Sequence, residues 1–244
     1  MQGLRFYFMV CGLLAWSALA QGVNYSDSNG AHPVQLALFP SVQLVPPEED
    51  VAGLRLNLIG VNREVAALDL GLINWTTSGF KGVGVGIANV VCADSHGAGI
   101  GFFNYTKGNM SGLQGIPLLT FWNAFNLVGG RAGGLQGGLY NQAQELCGAQ
   151  IGLVNVGDQS AGLQLSLVNY SVTNSGAQAG LVNIGAESAH GVQIGLFNQT
   201  EQFCGLQIGV VNRTRILEGL QIGLLNIASE KEIWPISPLA NWVF

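Results

Sequence analysis

The sequence predicts an all-β protein, a parallel β-solenoid that forms a narrow two-layered β-roll of about 12 coils with a period of 14–15 residues. Two observations predict this fold. One phrase returns along the chain, as GLQIGVVN at residues 205–212 and as GLQIGLLN at residues 219–226. Within it, apolar residues alternate with the two-residue period of a strand, and no helical stripe is present.

A recurring Asn marks the period, and a Gln five residues before it keeps the same rhythm. We expect Leu206, Ile208 and Val210 to form the core face, with the stacked Asn side chains at a corner on that face. Degenerate earlier copies end at Asn62, Asn74, Asn89 and Asn104. The clearest landmarks of the repeat are Asn141, Asn155, Asn169, Asn183, Asn198, Asn212 and Asn226, with Gln136, Gln150, Gln164, Gln178, Gln193, Gln207 and Gln221.

The alternative architecture is an outer-membrane β-barrel, in which each repeat supplies one strand and a hairpin turn. The alternation and the aromatic residues Trp242 and Phe244 at the end of the chain favour it. The equality of all repeats favours the solenoid, because antiparallel neighbours would give a rhythm of about 28 residues. The alternating runs are also shorter than the roughly 9 to 11 residues of a membrane strand.

Composition and motifs divide the chain into four parts. In residues 1–20, Arg5 precedes an apolar run that ends in Ala18-Leu19-Ala20, which predicts a secretory signal peptide cleaved before Gln21. Residues 21–52 lack the repeat and are predicted to form an N-terminal leader and cap. Residues 53–230 form the repeat array, and residues 231–244 are predicted to cap its other end.

An irregular insertion at residues 112–134 interrupts the array, because Gln114 and Gln136 lie 22 residues apart. Two hypotheses account for it. In the favoured one, its aromatic side chains plug the core of a bulged coil. In the other, a protruding loop contacts a partner, since interfaces favour aromatic residues and Arg. The candidate partner contacts are Phe121, Trp122, Phe125 and Arg131.

Composition and motifs also narrow the function classes. With 48% hydrophobic and only 9% charged residues the chain is not disordered, and its net charge of −5 without a basic run makes nucleic acid an unexpected partner. No catalytic motif is present, and His32, His96 and His190 lack metal-ligand spacing. We therefore expect no catalytic residue, cofactor or metal.

The spacing of two cysteines predicts that they are free thiols. Cys147 and Cys204 each lie eight residues before a repeat Asn, so they occupy one column four coils apart. Parallel coils are separated by about 4.8 Å, which places these residues about 19 Å from one another and rules out a disulfide.

Three phrases, residues 33–40 (PVQLALFP), 53–58 (GLRLNL) and 205–212, resemble a bacterial family of surface-repeat proteins first described among leptospiral lipoproteins. The resemblance covers most of residues 33–244 and implies a Gram-negative cell-envelope protein, with no catalytic residues to carry over. The chain differs in that no lipobox surrounds Cys11.

The expected function is therefore that of a non-enzymatic, exported cell-envelope or surface repeat protein with a structural or adhesive role. The expected partner is a protein or glycan at the cell surface, together with an association with the outer membrane. The alternatives are an outer-membrane barrel or pore and a secreted solenoid enzyme that acts on polysaccharide.

Overall fold

A computed structural model of the protein describes residues 30–115 and 123–243, and all regular structure in these ranges is β. The predicted signal peptide, Phe121 and Trp122 lie outside the described residues. The strands, in chain order, are β1 (His32–Phe39), β2 (Val42–Gln43), β3 (Val51–Asn62), β4 (Val65–Thr76), β5 (Phe80–Val85), β6 (Ala88–Val91), β7 (Ser95–Ile100), β8 (Phe103–Thr106), β9 (Met110–Gln114), β10 (Phe125–Ala132), β11 (Leu135–Gly137), β12 (Tyr140–Leu146), β13 (Ala149–Ile151), β14 (Val154–Ser160), β15 (Leu163–Leu165), β16 (Val168–Asn174), β17 (Ala177–Ala179), β18 (Val182–Ala228) and β19 (Ile236–Val243).

Strands of successive coils pair in parallel. Strand β12 pairs with β14, which places Asn141 opposite Asn155, and β14 pairs with β16, which places Asn155 opposite Asn169. The chain thus advances by one coil every 14 or 15 residues, and each repeat position stacks on its copy. The predicted parallel β-solenoid is confirmed, and these registers exclude the alternative with antiparallel neighbours.

Most coils contain a short strand with the Gln and a longer strand with the Asn. In one coil these are β13 and β14, separated by a bend. The short strands stack into one wall of the solenoid, the Gln wall, and the longer strands stack into a second, the Asn wall. From Val182 to Ala228 the bends keep strand geometry, so β18 runs through several coils without a break.

Both walls turn their amide side chains inward. Gln207 and Asn212 are fully buried, whereas Ile208 and Val210 are 36% and 41% exposed. The expectation that Leu206, Ile208 and Val210 form the core is therefore wrong. Between Gln207 and Asn212 the chain turns the corner from one wall to the other, so both amides point inward although a straight strand would place them on opposite faces.

Two columns of Gly allow the coils to stack this closely. A Cβ on Gly209 would lie 2.5 Å from the carbonyl oxygen of Gly195 and 2.7 Å from Nδ2 of Asn198. Gly205 has a φ of +133°, and a Cβ there would lie 2.1 Å from the carbonyl oxygen of Gly191. The first column makes room for the buried Asn side chains, and the second permits a backbone conformation that other residues rarely adopt.

The N-terminal end of the array is covered by residues 40–50. Strand β1 pairs in parallel with β3 and stacks as a coil of its own. The chain then crosses the open end, where Val45 is buried and its backbone N–H donates to Oε1 of Gln35 at 2.8 Å. Nε2 of Gln35 donates to the carbonyl oxygen of Val45 at 2.9 Å, so the cap is hydrogen bonded to the interior of the first coil.

The C-terminal end is covered by β19, which pairs antiparallel with the last coil and places Asn241 opposite Gln221. Nζ of Lys231 donates to Oδ1 of Asn241 at 2.6 Å and to the carbonyl oxygen of Trp242 at 3.0 Å. Reversal of the strand direction ends the parallel stacking, because a further coil would need a parallel edge to continue.

Gln114 lies opposite Gln136, and Asn126 lies opposite Asn104, so both residues keep their positions in the two ladders. The extra residues of the predicted insertion therefore lie between Gln114 and Asn126. Phe125 lies on β10, opposite Phe103 of one neighbouring coil and Tyr140 of the other, and is 42% exposed. The hypothesis that the aromatic residues plug the core is therefore wrong for Phe125.

Cys147 and Cys204 form no disulfide, and both thiols are partly buried. Their column runs parallel to the solenoid axis, as the stacking of the neighbouring position shows, where Leu146 lies opposite Ser160 and Ser160 lies opposite Asn174. The prediction of free thiols at these two positions is confirmed.

Two neighbouring substitutions test which side of the wall faces inward. Gln193→Leu leaves Oε1 of Gln178 and Nε2 of Gln207 without partners, so we expect a loss of about 3 kcal/mol or more in the free energy of unfolding. Ile194→Gln changes an exposed side chain, so we expect a change of about 0.5 kcal/mol. Urea unfolding measures both values, and a larger loss for Ile194→Gln would contradict the inward position of the amides.

Candidate interaction surface

The buried Asn side chains form a continuous hydrogen-bonded ladder. Nδ2 of each Asn donates to Oδ1 of the Asn in the next coil over distances of 2.6–3.1 Å, from Asn57 to Asn226. Nδ2 also donates to a backbone carbonyl of the next coil, as from Asn212 to Ile222 at 2.9 Å. All but one of the predicted Asn landmarks belong to this ladder, which gives them a structural role.

Asn62 is the exception. It lies opposite Thr76, and Gly60 occupies the ladder position opposite Asn74. Asn57 reaches across this gap and donates from Nδ2 to Oδ1 of Asn74 at 2.6 Å. The prediction that Asn62 closes a repeat in the same way as Asn74 is therefore wrong, because the register of β3 shifts its Asn two positions along the coil.

The Gln side chains form a second ladder that donates in the opposite direction. Nε2 of each Gln donates to Oε1 of the Gln in the preceding coil over 2.7–3.2 Å, from Gln221 back to Gln114. The side-chain hydrogen bonds of the two ladders therefore run in opposite directions along the axis.

Upstream of Gln114 the Gln column continues with other residues, among them a buried ion pair. Arg55 and Asp69 are at most 1% exposed, and Nε and Nη2 of Arg55 donate to the two carboxylate oxygens of Asp69 at 2.8 and 2.5 Å. Burial raises the pKa of Asp69 above its ordinary value, and the guanidinium of Arg55 opposes that shift. Sequence reasoning missed the pair; the signal was its 14-residue spacing in the Gln column.

Gly84 and Gly99 take the next two places in that column, and their missing side chains leave a small internal cavity. It is lined by Asp69, Thr76 and Gln114 among others and leaves about 20 Å³ for the centre of a water molecule. That is room for about one water. Nε2 of Gln114 donates to Oγ1 of Thr106 at 2.9 Å, which satisfies this end of the Gln ladder.

The outer surface is apolar along the corner where the Gln wall meets the Asn wall. The residue two positions before each ladder position forms a row along this corner, which we name the ridge column. Ala124 in this column is buried and Leu139 is half-buried, whereas its other large side chains are 41–69% exposed. They are Leu58, Leu72, Ile87, Phe102, Leu153, Leu167, Leu181, Leu196, Val210 and Leu224.

Both walls continue this apolar surface on either side of the ridge column. On the Gln wall, Ile194, Ile208 and Ile222 are exposed beside the buried Gln residues. On the Asn wall, the ring of Phe125 contacts those of Phe102 and Tyr140, with ring centroids 6.0 and 6.3 Å apart. Among the described residues, the ridge column and the positions that flank it on the two walls contain no Asp, Glu, Lys or Arg.

Many of the charged side chains lie along a different edge, where the chain turns after the Asn wall, although Arg213 is exposed on the Asn wall itself. Arg215 forms ion pairs there with Glu201 and Glu230 of the adjacent coils. Arg131 lies opposite Glu145 on the same edge, whereas Phe125 lies on the apolar surface. The structure therefore separates these two candidate partner contacts and places them on different sides of the solenoid.

Comparison of the chain with known protein families, with curated proteins and with solved structures finds no match. In the part of the chain that the structure describes, no helix has the length and hydropathy to cross a bilayer. The same residues contain no cluster of His, Cys, Asp or Glu that could hold a metal ion.

A double-mutant cycle tests the buried ion pair. Arg55→Gln and Asp69→Gln each leave one charge unpaired and should lower the free energy of unfolding by about 3 to 5 kcal/mol. The double variant places two amides between Gln35 and Gly84 in the same column, so we expect it to unfold close to the wild-type midpoint.

The dependence on pH separates the two single variants. Without Arg55, only the burial that raises the pKa of Asp69 remains. Protonation of Asp69 then removes the unpaired charge. The loss in the free energy of unfolding that Arg55→Gln causes relative to wild type should therefore shrink as the pH falls toward 4. The loss in the free energy of unfolding that Asp69→Gln causes should persist at low pH, because Arg55 stays charged. Parallel pH profiles of the two losses in urea unfolding would contradict this account.

Proposed function

We propose that this chain is a non-enzymatic, exported cell-envelope or surface repeat protein that acts as a rigid rod and offers its apolar faces for contact. The observation that carries the proposal is the uncharged apolar surface formed by the ridge column and the positions directly beside it on the two walls. Exposed apolar residues in soluble proteins are usually scattered, and contiguous apolar surfaces mark contact sites.

The interior supports a structural role for the polar residues. The amides of the two ladders are bonded mainly to one another, and the carboxylate of Asp69 is held by Arg55. These side chains build a scaffold of stacked coils. Such a scaffold displays similar outward residues at most steps, which suits contact over a long surface better than a reaction at one point.

The place of action rests on the sequence. The apolar run before Ala18 and Ala20 has the features of a secretory signal peptide. The resemblance to bacterial surface-repeat proteins supports the cell envelope as the destination. A protein, a glycan or the outer membrane at that surface would then be within reach of the apolar faces.

Export and processing test this proposal. When the full chain is expressed in a Gram-negative host, we expect it in the envelope or periplasmic fraction. Its intact mass should equal that of residues 21–244. Ala20→Lys should remain unprocessed, because signal peptidase requires a small residue before the cleavage site. Ala15→Val alters the apolar run without changing that site, so it should be processed as wild type. Full-length wild-type chain confined to the cytoplasm would refute the proposal.

A further inference from the structure

We propose that the ridge column and the apolar walls on either side of it bind the surface of a lipid bilayer, with the solenoid axis parallel to the membrane. The ridge side chains would enter the apolar boundary of the lipid, and the charged edge would stay in water. The inference rests on the proposed function, and it names the partner of the same apolar surface.

The shape of the surface favours lipid over a second copy of the chain. The ridge column stands at a convex corner, with exposed apolar side chains on the Gln wall at Ile194 and on the Asn wall at Phe125. A flat rigid partner could cover one of the two walls. A fluid lipid monolayer closes around a convex edge and covers both.

Backbone N–H and C=O groups of the ridge column are hydrogen bonded within the protein. The N–H of Leu181 donates to the carbonyl oxygen of Leu167, and the N–H of Leu196 donates to that of Leu181, both at 3.0 Å. The N–H of Leu153 donates to the carbonyl oxygen of Leu139 at 3.0 Å. Because these groups are satisfied between coils, lipid contact would strip water from few unpaired backbone groups, which is the main penalty for strands in lipid.

The charge pattern sets the kind of lipid. The ridge column and the positions directly beside it carry no charge among the described residues, so this surface offers no basic group to attract anionic headgroups. At the C-terminal cap, Trp242 lies opposite Leu220 and extends the Gln wall, and Nζ of Lys231 lies 5.7 Å from the centroid of its ring. Trp is the residue that bilayer interfaces favour. We therefore expect apolar binding to membranes of zwitterionic lipid.

Flotation with phosphatidylcholine vesicles tests the inference, with the exported and processed chain, which begins at Gln21, used in every variant so that the apolar run in residues 1–20 cannot bind lipid itself. We expect the wild-type protein to float with the vesicles. A variant with Leu167→Gln, Leu181→Gln and Leu196→Gln should have a partition coefficient lower by at least about tenfold, because three inserted side chains become polar. Raising the salt concentration should not weaken binding of the wild type, since no charge attraction is involved.

Two controls match this variant. Replacing the same three residues by Met keeps the surface apolar, and Ile216→Gln removes an exposed apolar side chain from the charged edge; both should bind within about twofold of wild type. Unchanged urea midpoints show that all variants fold. Equal flotation of the Gln variant and wild type, or release of the wild type by salt, would overturn the inference.

A third result would also overturn it and would identify the occupant as a second copy. In that case the wild-type chain stays off the vesicles and runs as a dimer on gel filtration, and the Gln variant runs as a monomer. Failure of flotation by a chain that is correctly exported and processed would refute lipid binding alone. A chain that is not exported would refute the proposed function, whatever the vesicles show.

Discussion

Hydrogen bonds between the side-chain amides of successive coils are the interaction on which the rest of this structure depends. A buried amide is costly unless its N–H and C=O groups both have partners. In the stack, Asn183 receives a hydrogen bond from Asn169 and donates one to Asn198. An Asn at the same position in the next coil continues this pattern with the same geometry. The similarity of the repeats meets the requirement that each amide has partners.

The polar interior determines the character of the surface. Because amides occupy two of the inward positions of most coils, buried apolar side chains are limited to small clusters such as Phe203, Leu217, Ala189 and Ala228. Most Leu and Ile residues of the repeat then have to face outward. The same alternation that would normally fill a core here produces an apolar exterior beside the ridge column.

The interruptions of the ladders show how strict the requirement is. Where the Gln column lacks Gln, it holds an ion pair that satisfies itself, Arg55 with Asp69, or no side chain at all, as at Gly84 and Gly99. At the ends of the ladders, Oδ1 of Asn57 and Oε1 of Gln221 have no hydrogen-bond partner among the described residues. The last residue of a ladder has no further amide to bond with, so the free-energy cost of an unsatisfied buried polar atom arises at the two ends.

The sequence by itself determined the strand character, the period, the parallel stacking and the free thiols of Cys147 and Cys204, since all of these depend only on spacing along the chain. The tertiary structure decided which face is inside, because alternation defines two faces without saying which is buried, and the corner between Gln207 and Asn212 brings both amides inward. It also decided the burial of Arg55 with Asp69, the register of Asn62 and the separation of Phe125 from Arg131. Each of these depends on where the chain bends, and a bend is set by contacts with neighbouring coils that spacing alone does not encode.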